Sequence, residues 1–340
     1  MGAWGKAGIW AVAALAFGFV ATAFMIQQAG RPDFDIFWGA QRAAAPYDTE
    51  SVRRALAGLS PDGPRLFAYP PTFLALSAPL KLLGDLRVAY GLWVAGSAFA
   101  VMAVTRSWFA PLALISPAVV FAGFAGQTTL FVAAALFAAF AHLDRPRIAG
   151  LLIGLALCIK PQLAFAAPVL LLATGRWRPL PIAGLVVLAV SGLATVGWGT
   201  GVWSAWLRAL PGFLDYNRQH LEARELIHLP AWVRGVLAIL AAGFAAFAFR
   251  RTGARETLFA GSVVAALLVS PHAIRYELAA LAPAAVAIAV RRDWRLVPSL
   301  GLLALPLTAW TLGLAMIATA PREAVSWGRR ATADPNPTAS

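Results

Sequence analysis

Arg31-Pro-Asp-Phe-Asp-Ile-Phe-Trp-Gly-Ala-Gln-Arg-Ala-Ala-Ala-Pro-Tyr47 is a polar, acidic and aromatic stretch in a chain that is otherwise close to hydrocarbon. Directly before it runs Gly8 to Met25, an apolar segment preceded by Lys6. That segment is long enough to cross a ~30 Å hydrocarbon core at ~1.5 Å per residue. Ala21-Thr-Ala23 resembles a processing site, yet the run is long for a cleaved signal peptide and reads as a retained anchor. With Lys6 inside, residues 27–87 form an outer loop carrying interfacial helices. Asp33 and Asp35 then emerge at a membrane surface beside Phe34, Phe37 and Trp38.

The composition excludes a soluble domain. The 340 residues are 60% hydrophobic and 13% charged, with a mean hydropathy of +0.72. Charges fall in short clusters between apolar runs, as they do when water is met only at helix ends. The net charge of +13 is therefore a membrane property, set by cytoplasmic loops and anionic membrane lipids, and no basic face with stacking aromatics points to nucleic acid. Many of the 13 Trp residues sit beside charges at run ends, where an amphipathic ring prefers the interface. The single cysteine, Cys158, lies inside an apolar run and excludes a disulfide framework.

From the outer loop the chain reads as one zigzag. Tyr47-Asp-Thr-Glu-Ser-Val-Arg-Arg-Ala-Leu predicts a short amphipathic helix, and Phe67-Ala-Tyr-Pro-Pro-Thr-Phe starts a helix lying in, or dipping into, the outer interface. Apolar runs then alternate with inner loops at Arg106, His142 to Arg147, Arg176 to Arg178, Arg250-Arg251 and Arg291 to Arg295. Each of these loops carries Lys or Arg, so the positive-inside rule fits about eleven crossings. Residues 199–231 read as a long outer loop in which Asp215 to His228 is solvated. The expected architecture is all-α: a single multispanning domain over residues 1–320 and a disordered tail over 321–340.

Some runs are too short to span. Ile148 to Ile159 is ~18 Å as a helix and meets Lys160-Pro-Gln162, and Leu163 to Thr174 is equally short. The same break recurs at Ser270-Pro-His-Ala-Ile-Arg-Tyr-Glu277 and, in weaker form, at Gly126-Gln-Thr-Thr129. A charge at such depth costs at least ~2.5 kcal/mol if it faces lipid, so these groups should face a polar cavity. Lys160, Gln127, Gln162, His272, Arg275 and Glu277 then converge with Asp33 and Asp35 on one outward-open chamber. Simpler roles remain beside this one. The glutamines can be inter-helix hydrogen-bonding groups, Lys160 can snorkel, and His272, Arg275 and Glu277 can form a self-contained ion pair.

These segments, in order, resemble glycosyltransferase family 87: Asp33-Phe-Asp-Ile-Phe-Trp-Gly-Ala-Gln-Arg-Ala, Tyr47-Asp48, Phe67-Ala-Tyr-Pro-Pro-Thr-Phe73, Gly126-Gln127, Lys160-Pro-Gln162, Ser270-Pro271 and Tyr276-Glu277. The resemblance implies a GT-C-type enzyme of the bacterial inner membrane, with a cytoplasmic N-terminus and a site facing the periplasm. It implies transfer of a hexose, mannose by analogy, from a polyprenyl-phosphate donor to a hydroxyl of a lipid or glycan acceptor. The catalytic aspartate of the first outer loop maps best onto Asp33, with Asp35 its rival. Tyr276-Glu277 departs from a Tyr-Asp pattern, and Phe37 stands where relatives often carry tyrosine.

On that reading the residues divide by chemistry. A glycosyl phosphate brings its own leaving group, so one carboxylate acting as base suffices, and a single displacement inverts the anomeric centre. Lys160 and Arg275 are the candidate phosphate clamps, with His272 as a further donor, while Gln127, Gln162, Tyr69 and Glu277 are candidate substrate contacts. The aromatic cluster of Phe34, Phe37, Trp38, Phe67 and Tyr69 can shape a lipid groove or stack on a sugar, or form an interfacial belt. No metal or cofactor is expected. A transporter or flippase for a lipid-linked sugar is the competing reading, since carriers also break helices at mid-depth. A structural subunit with a dead site is the third.

Overall fold

The computed structural model describes residues 3–27, 33–59, 66–108, 110–221, 227, 229–270 and 273–292. Among them every regular element is helical. The helices are α1 (Ala3–Gln27), α2 (Asp33–Arg42), α3 (Thr49–Ala55), α4 (Pro71–Ser77), α5 (Leu86–Thr105), α6 (Pro117–Phe124), α7 (Thr129–Ala141) and α8 (Pro146–Ile159). After these come α9 (Pro161–Ala164), α10 (Ala166–Ala173), α11 (Leu180–Trp198), α12 (Gly201–Leu221), α13 (Ala231–Thr252), α14 (Arg255–Val269) and α15 (Ala282–Arg292). Three 3-10 turns, Ala78–Leu82, Ala110–Ile115 and Arg275–Leu281, link some of them.

Among the described residues four helices are long and apolar enough to cross a membrane: Gly5–Ile26 within α1, then α5, α11 and α13. A fifth span results if α6 and α7, bent by 120° at their junction, count as one. This is a helical membrane protein with fewer full-length spans among the described residues than the about eleven crossings of the zigzag. Apolar runs well short of about 20 residues are more often buried core helices than spans, and in α14 Thr257 through Leu268 are all buried. The expected span over residues 296–317 and the tail over 321–340 lie outside the described residues.

Glycines set the closest helix contacts. In α8 a Cβ at Gly150 would stand 2.4 Å from the Pro179 carbonyl oxygen, and one at Gly154 would stand 2.6 Å from Val186 Cβ. This is small-residue packing, the means by which helices gain contact where lipid is as apolar as their side chains. The same device joins α1 to α5 at Gly18 and α14 to α13 at Gly261.

Two expectations are corrected here. Residues 201–221 form a 21-residue amphipathic helix rather than open loop. Its Trp203 Nε1 donates to Thr195 Oγ1 at 2.9 Å and its Trp206 Nε1 to the Ala68 carbonyl at 3.0 Å, so one face is pinned to the protein while Asp215 stays exposed. The aromatic residues of the first loop are not an interfacial belt. Phe34, Phe37, Trp38, Phe67 and Phe73 are 0 to 3% exposed and build a second core with Val52, Leu56, Leu74 and Tyr90. The helical spacing of Phe34, Phe37, Trp38 and Gln41 puts all four on one face of α2. The short helix expected after Tyr47 is present as α3, capped by Asp48, whose carboxylate accepts from the Ser51 N–H at 2.7 Å.

At the end of the bundle formed by the C-termini of α7, α10 and α13, arginines gather. Arg255 donates to the Ala141 carbonyl at 2.7 Å and pairs with Asp144, Arg250 donates to the Ala173 carbonyl, and Arg176 lies over Phe249.

Gly150→Ala should destabilise the chain by about 1 to 3 kcal/mol through overpacking. Gly184→Ala, on α11 with nothing within 4 Å of its added Cβ, should be neutral or slightly stabilising. Thermal unfolding in one detergent compares the two, and equal melting temperatures would remove the close α8–α11 contact.

Candidate active site

The opposite end of the bundle holds the helix breaks, and at each break a residue from another element donates to freed backbone carbonyls. At the α6–α7 corner the chain reverses through Gly126 at φ +67°, a left-handed conformation that glycine adopts without strain. Three neighbours hold the corner. The Phe34 N–H donates to the Ala125 carbonyl at 3.2 Å, Trp93 Nε1 to the Gly126 carbonyl at 2.9 Å, and the Tyr90 hydroxyl to the Phe124 carbonyl at 2.7 Å. Carbonyls at the end of α6 would otherwise be orphaned in apolar surroundings.

At the second break, Lys160 ends α8 at φ −145° and ψ 78°, outside the α region that the following proline disfavours. Thr72 Oγ1, from the Tyr-Pro-Pro-Thr segment, donates to the Cys158 carbonyl at 2.7 Å and ties the two motifs together. The extended run before α4 is fixed in turn. Tyr47 donates its hydroxyl to the Tyr69 carbonyl at 2.9 Å, and burial pushes that phenol far above its usual range, so it stays a neutral donor. With the neighbouring Ala68 carbonyl held by Trp206, the Tyr69 side chain is aimed at the α6–α7 corner.

There the polar groups meet. Gln127 Nε2 donates to Asp33 Oδ2. The Tyr69 hydroxyl donates to Gln127 Oε1 at 3.0 Å and lies 3.1 Å from Thr128 Oγ1. The phenol proton is committed to Gln127, so the Thr128 hydroxyl is the donor in that last contact. The direction of every bond follows: hydroxyl to phenol, phenol to amide oxygen, amide N–H to carboxylate. Beside this chain lies an ion pair. Lys160 Nζ is 2.7 Å from Glu277 Oε1 and 3.3 Å from Thr129 Oγ1, to which it donates. Lys160 is 3% exposed and Glu277 4%. Asp33, Lys160 and Glu277 all lie within electrostatic reach of the Tyr69 hydroxyl, and Asp33 and Glu277 within reach of Tyr276.

Asp33, Tyr69, Gln127, Lys160 and Glu277 are thus brought together. Asp35 is not part of this group. The segment is helical, so carboxylates two positions apart diverge, and Asp35 is buried on the side of Tyr90. Gln162 is exposed on the four-residue α9. His272 lies outside the described residues, and of Arg275 only the backbone, at the start of the 3-10 turn, is described. Among the described residues no cluster of three or more His, Cys, Asp or Glu is placed to hold a metal ion.

Thr72, Thr128 and Thr129 lie inside segments that the sequence marks but were given no role of their own there, and Trp93, which faces the Gly126 corner across a helix contact, was missed. Arg234, near the start of α13, was also missed. Its Nη1 donates to the Ser270 carbonyl at 3.1 Å, so it closes the third break as the others are closed.

Gly126→Ala would place a Cβ 2.5 Å from Phe34 Cβ and force an L-residue into a left-handed conformation. The cost should be about 2 kcal/mol or more. Thermal unfolding of the variant reads it, and wild-type stability would show that the corner does not bear on α2.

The sequence profile of glycosyltransferase family 87 matches residues 67–271. Among curated proteins and among solved structures, none matches the chain. The matched stretch contains Tyr69, Gln127 and Lys160, while Asp33 precedes it and Glu277 follows it. With more than half of its length matched, and with the helix breaks of that stretch gathered around one buried polar group, the chain belongs to glycosyltransferase family 87.

Proposed function

We propose that this glycosyltransferase moves a hexose, mannose by family analogy, from a polyprenyl-phosphate donor to a hydroxyl of a lipid or glycan acceptor, with inversion. Asp33 is the general base. The observation that carries this reading is the directed bond chain ending on Asp33 beside a buried lysine. A carboxylate oriented by an amide N–H is poised to accept a proton, and a cation nearby can take up the charge that a departing phosphate gains.

In the reaction the acceptor oxygen attacks the anomeric carbon and its proton passes to Asp33. The bond from that carbon to the phosphate oxygen breaks, and the electron pair leaves with the phosphate. Lys160 and the N-terminus of α7, with the Thr129 hydroxyl, are the groups suited to the phosphate. Arg275 and His272 belong to the same clamp by their place in the sequence. Tyr69 and Gln127, read from sequence as substrate contacts, act here as positioning residues for Asp33. The aromatic core against which α2 packs limits where the acceptor can enter.

The architecture proposed is GT-C-like, in the bacterial inner membrane. The arginine-rich end lies in the cytoplasm by the positive-inside rule, and the site and first loop face the periplasm.

Two sets of variants test this, assayed on purified enzyme in nanodiscs with a panel of polyprenyl-phosphate sugars and mass spectrometry of the products. Asp33→Asn should lower turnover about 10²- to 10⁴-fold with donor affinity nearly unchanged. Lys160→Met should weaken donor binding about tenfold or more. Turnover by Asp33→Asn at the wild-type rate would remove the base, and sugar-lipid flux in liposomes without any transfer would favour a carrier.

Tyr69→Phe keeps the ring and deletes the donor to Gln127 Oε1. Its kcat should fall about tenfold while KM for the donor holds, because the amide loses its preferred orientation toward Asp33. A rise in KM with kcat unchanged would instead make Tyr69 a substrate contact.

A further inference from the structure

Glu277 holds the place on Lys160 that a phosphate would take. The pair is at 2.7 Å, and both side chains are buried. Lys160 also donates to Thr129, and Tyr69, Tyr276 and Asp33 are the other described groups that face the pair. Removing one partner from a buried pair is costly, so an empty site needs an anion beside the ammonium. With donor bound, the phosphodiester adds a negative charge to a site that already contains two carboxylates, Asp33 and Glu277. Whatever further cations hold the phosphate, it and Glu277 compete for the Lys160 ammonium at low dielectric.

The backbone under Glu277 suits it to move. Glu277 sits on the seven-residue 3-10 turn Arg275–Leu281, which runs straight into α15. Its own N–H bonds the Ile274 carbonyl at 2.9 Å. Runs of 3-10 helix longer than three or four residues are uncommon, and such stretches mark hinges. Rewinding one to α-helix turns each residue by about 20° relative to the next, enough to swing Glu277 off Lys160.

We propose that Glu277 is an exchange residue: its carboxylate neutralises Lys160 in the empty enzyme, yields to the donor phosphate, and returns to displace the spent polyprenyl phosphate. This rests on the reading of Lys160 as the donor-phosphate site. The return step follows from the chemistry of transfer. When the sugar leaves, the phosphodiester becomes a monoester carrying one more negative charge, so the lysine grips the product more tightly than the donor. A competing carboxylate lowers that barrier to release.

The test measures the affinity of a sugar-free polyprenyl monophosphate for enzyme in phosphatidylcholine nanodiscs, together with steady-state turnover. Glu277→Gln should bind the monophosphate at least about tenfold more tightly and lower KM for the donor. Its turnover should become strongly inhibited by that product. Glu277→Asp keeps the charge but draws it back, and should shift each value the same way by a smaller factor, so the proposal stays testable if the glutamine variant fails to fold. Monophosphate affinity equal to or weaker than wild type in the folded variants would overturn it and leave Glu277 as a tether between the α8 end and the 3-10 turn. Lys160→Met separates the two readings. If it loses the monophosphate while Glu277→Gln does not gain it, the phosphate site stands and the exchange fails. Wild-type binding by Lys160→Met removes the phosphate site itself.

Discussion

An ammonium group buried in a membrane domain must be met by an anion and by hydrogen-bond acceptors. The arrangement around Lys160 is governed by that requirement. The lysine caps α8, Glu277 comes from a 3-10 turn late in the chain, and Thr129 opens α7. Three elements distant in sequence are therefore fixed at one point by one charge. The alternative, each of them ending separately in an apolar environment, would leave both a charge and helix termini unanswered.

The same economy governs the neutral groups. Every helix break frees carbonyls, and side chains of other motifs take up several of them near the site: Trp93 and Tyr90 at the α6–α7 corner, Thr72 at the end of α8, Arg234 at the end of α14. Apart from Arg234 these donors are aromatic or short hydroxyl side chains with few rotatable bonds, so they position as well as satisfy. Tyr69 shows the consequence. Its backbone is held by Tyr47, its neighbour's by Trp206, and its phenol is left to orient an amide.

Hydropathy showed that this is a helical membrane protein, and the short runs at Gly126, Lys160 and Ser270 marked where polar groups converge, because a break in a lipid-facing helix is too costly to be accidental. What pattern could not show depends on conformation. Asp33 and Asp35 are equivalent on paper and become distinct only because α2 is a helix. The count of about eleven crossings rests partly on apolar runs of a dozen residues, which carry no mark of whether lipid or protein surrounds them, and α14 is enclosed by protein. The polar residues at 208, 215 and 217 hid the amphipathic period of α12, whose buried face depends on Trp203 and Trp206 finding acceptors far away in sequence. The partner of Glu277 was equally hidden, since no local spacing links it to Lys160.

The family match begins at Phe67, yet the carboxylate that completes the polar group comes from α2, ahead of it. This division has a physical counterpart. The matched stretch supplies phenol, amide and ammonium from helix breaks that hold one another in place. By contrast, α2 is a docked piece, seated by the aromatic face of Phe34, Phe37 and Trp38, by Gln41 on the Leu74 carbonyl at 2.8 Å, and by Arg42 on the Leu83 carbonyl at 2.7 Å. Asp33 stands in the first turn of this helix, where the backbone N–H groups favour negative charge, and at the edge of the aromatic face rather than within it. Asp33 is thus placed by the apolar packing of α2 on one side and meets the Gln127 amide on the other. A change in the aromatic face of α2 bears on the polar group twice, through the position of Asp33 and through the Phe37 ring packed edge-on against Tyr69 at 4.8 Å, so the packing of this loop sets the geometry of both.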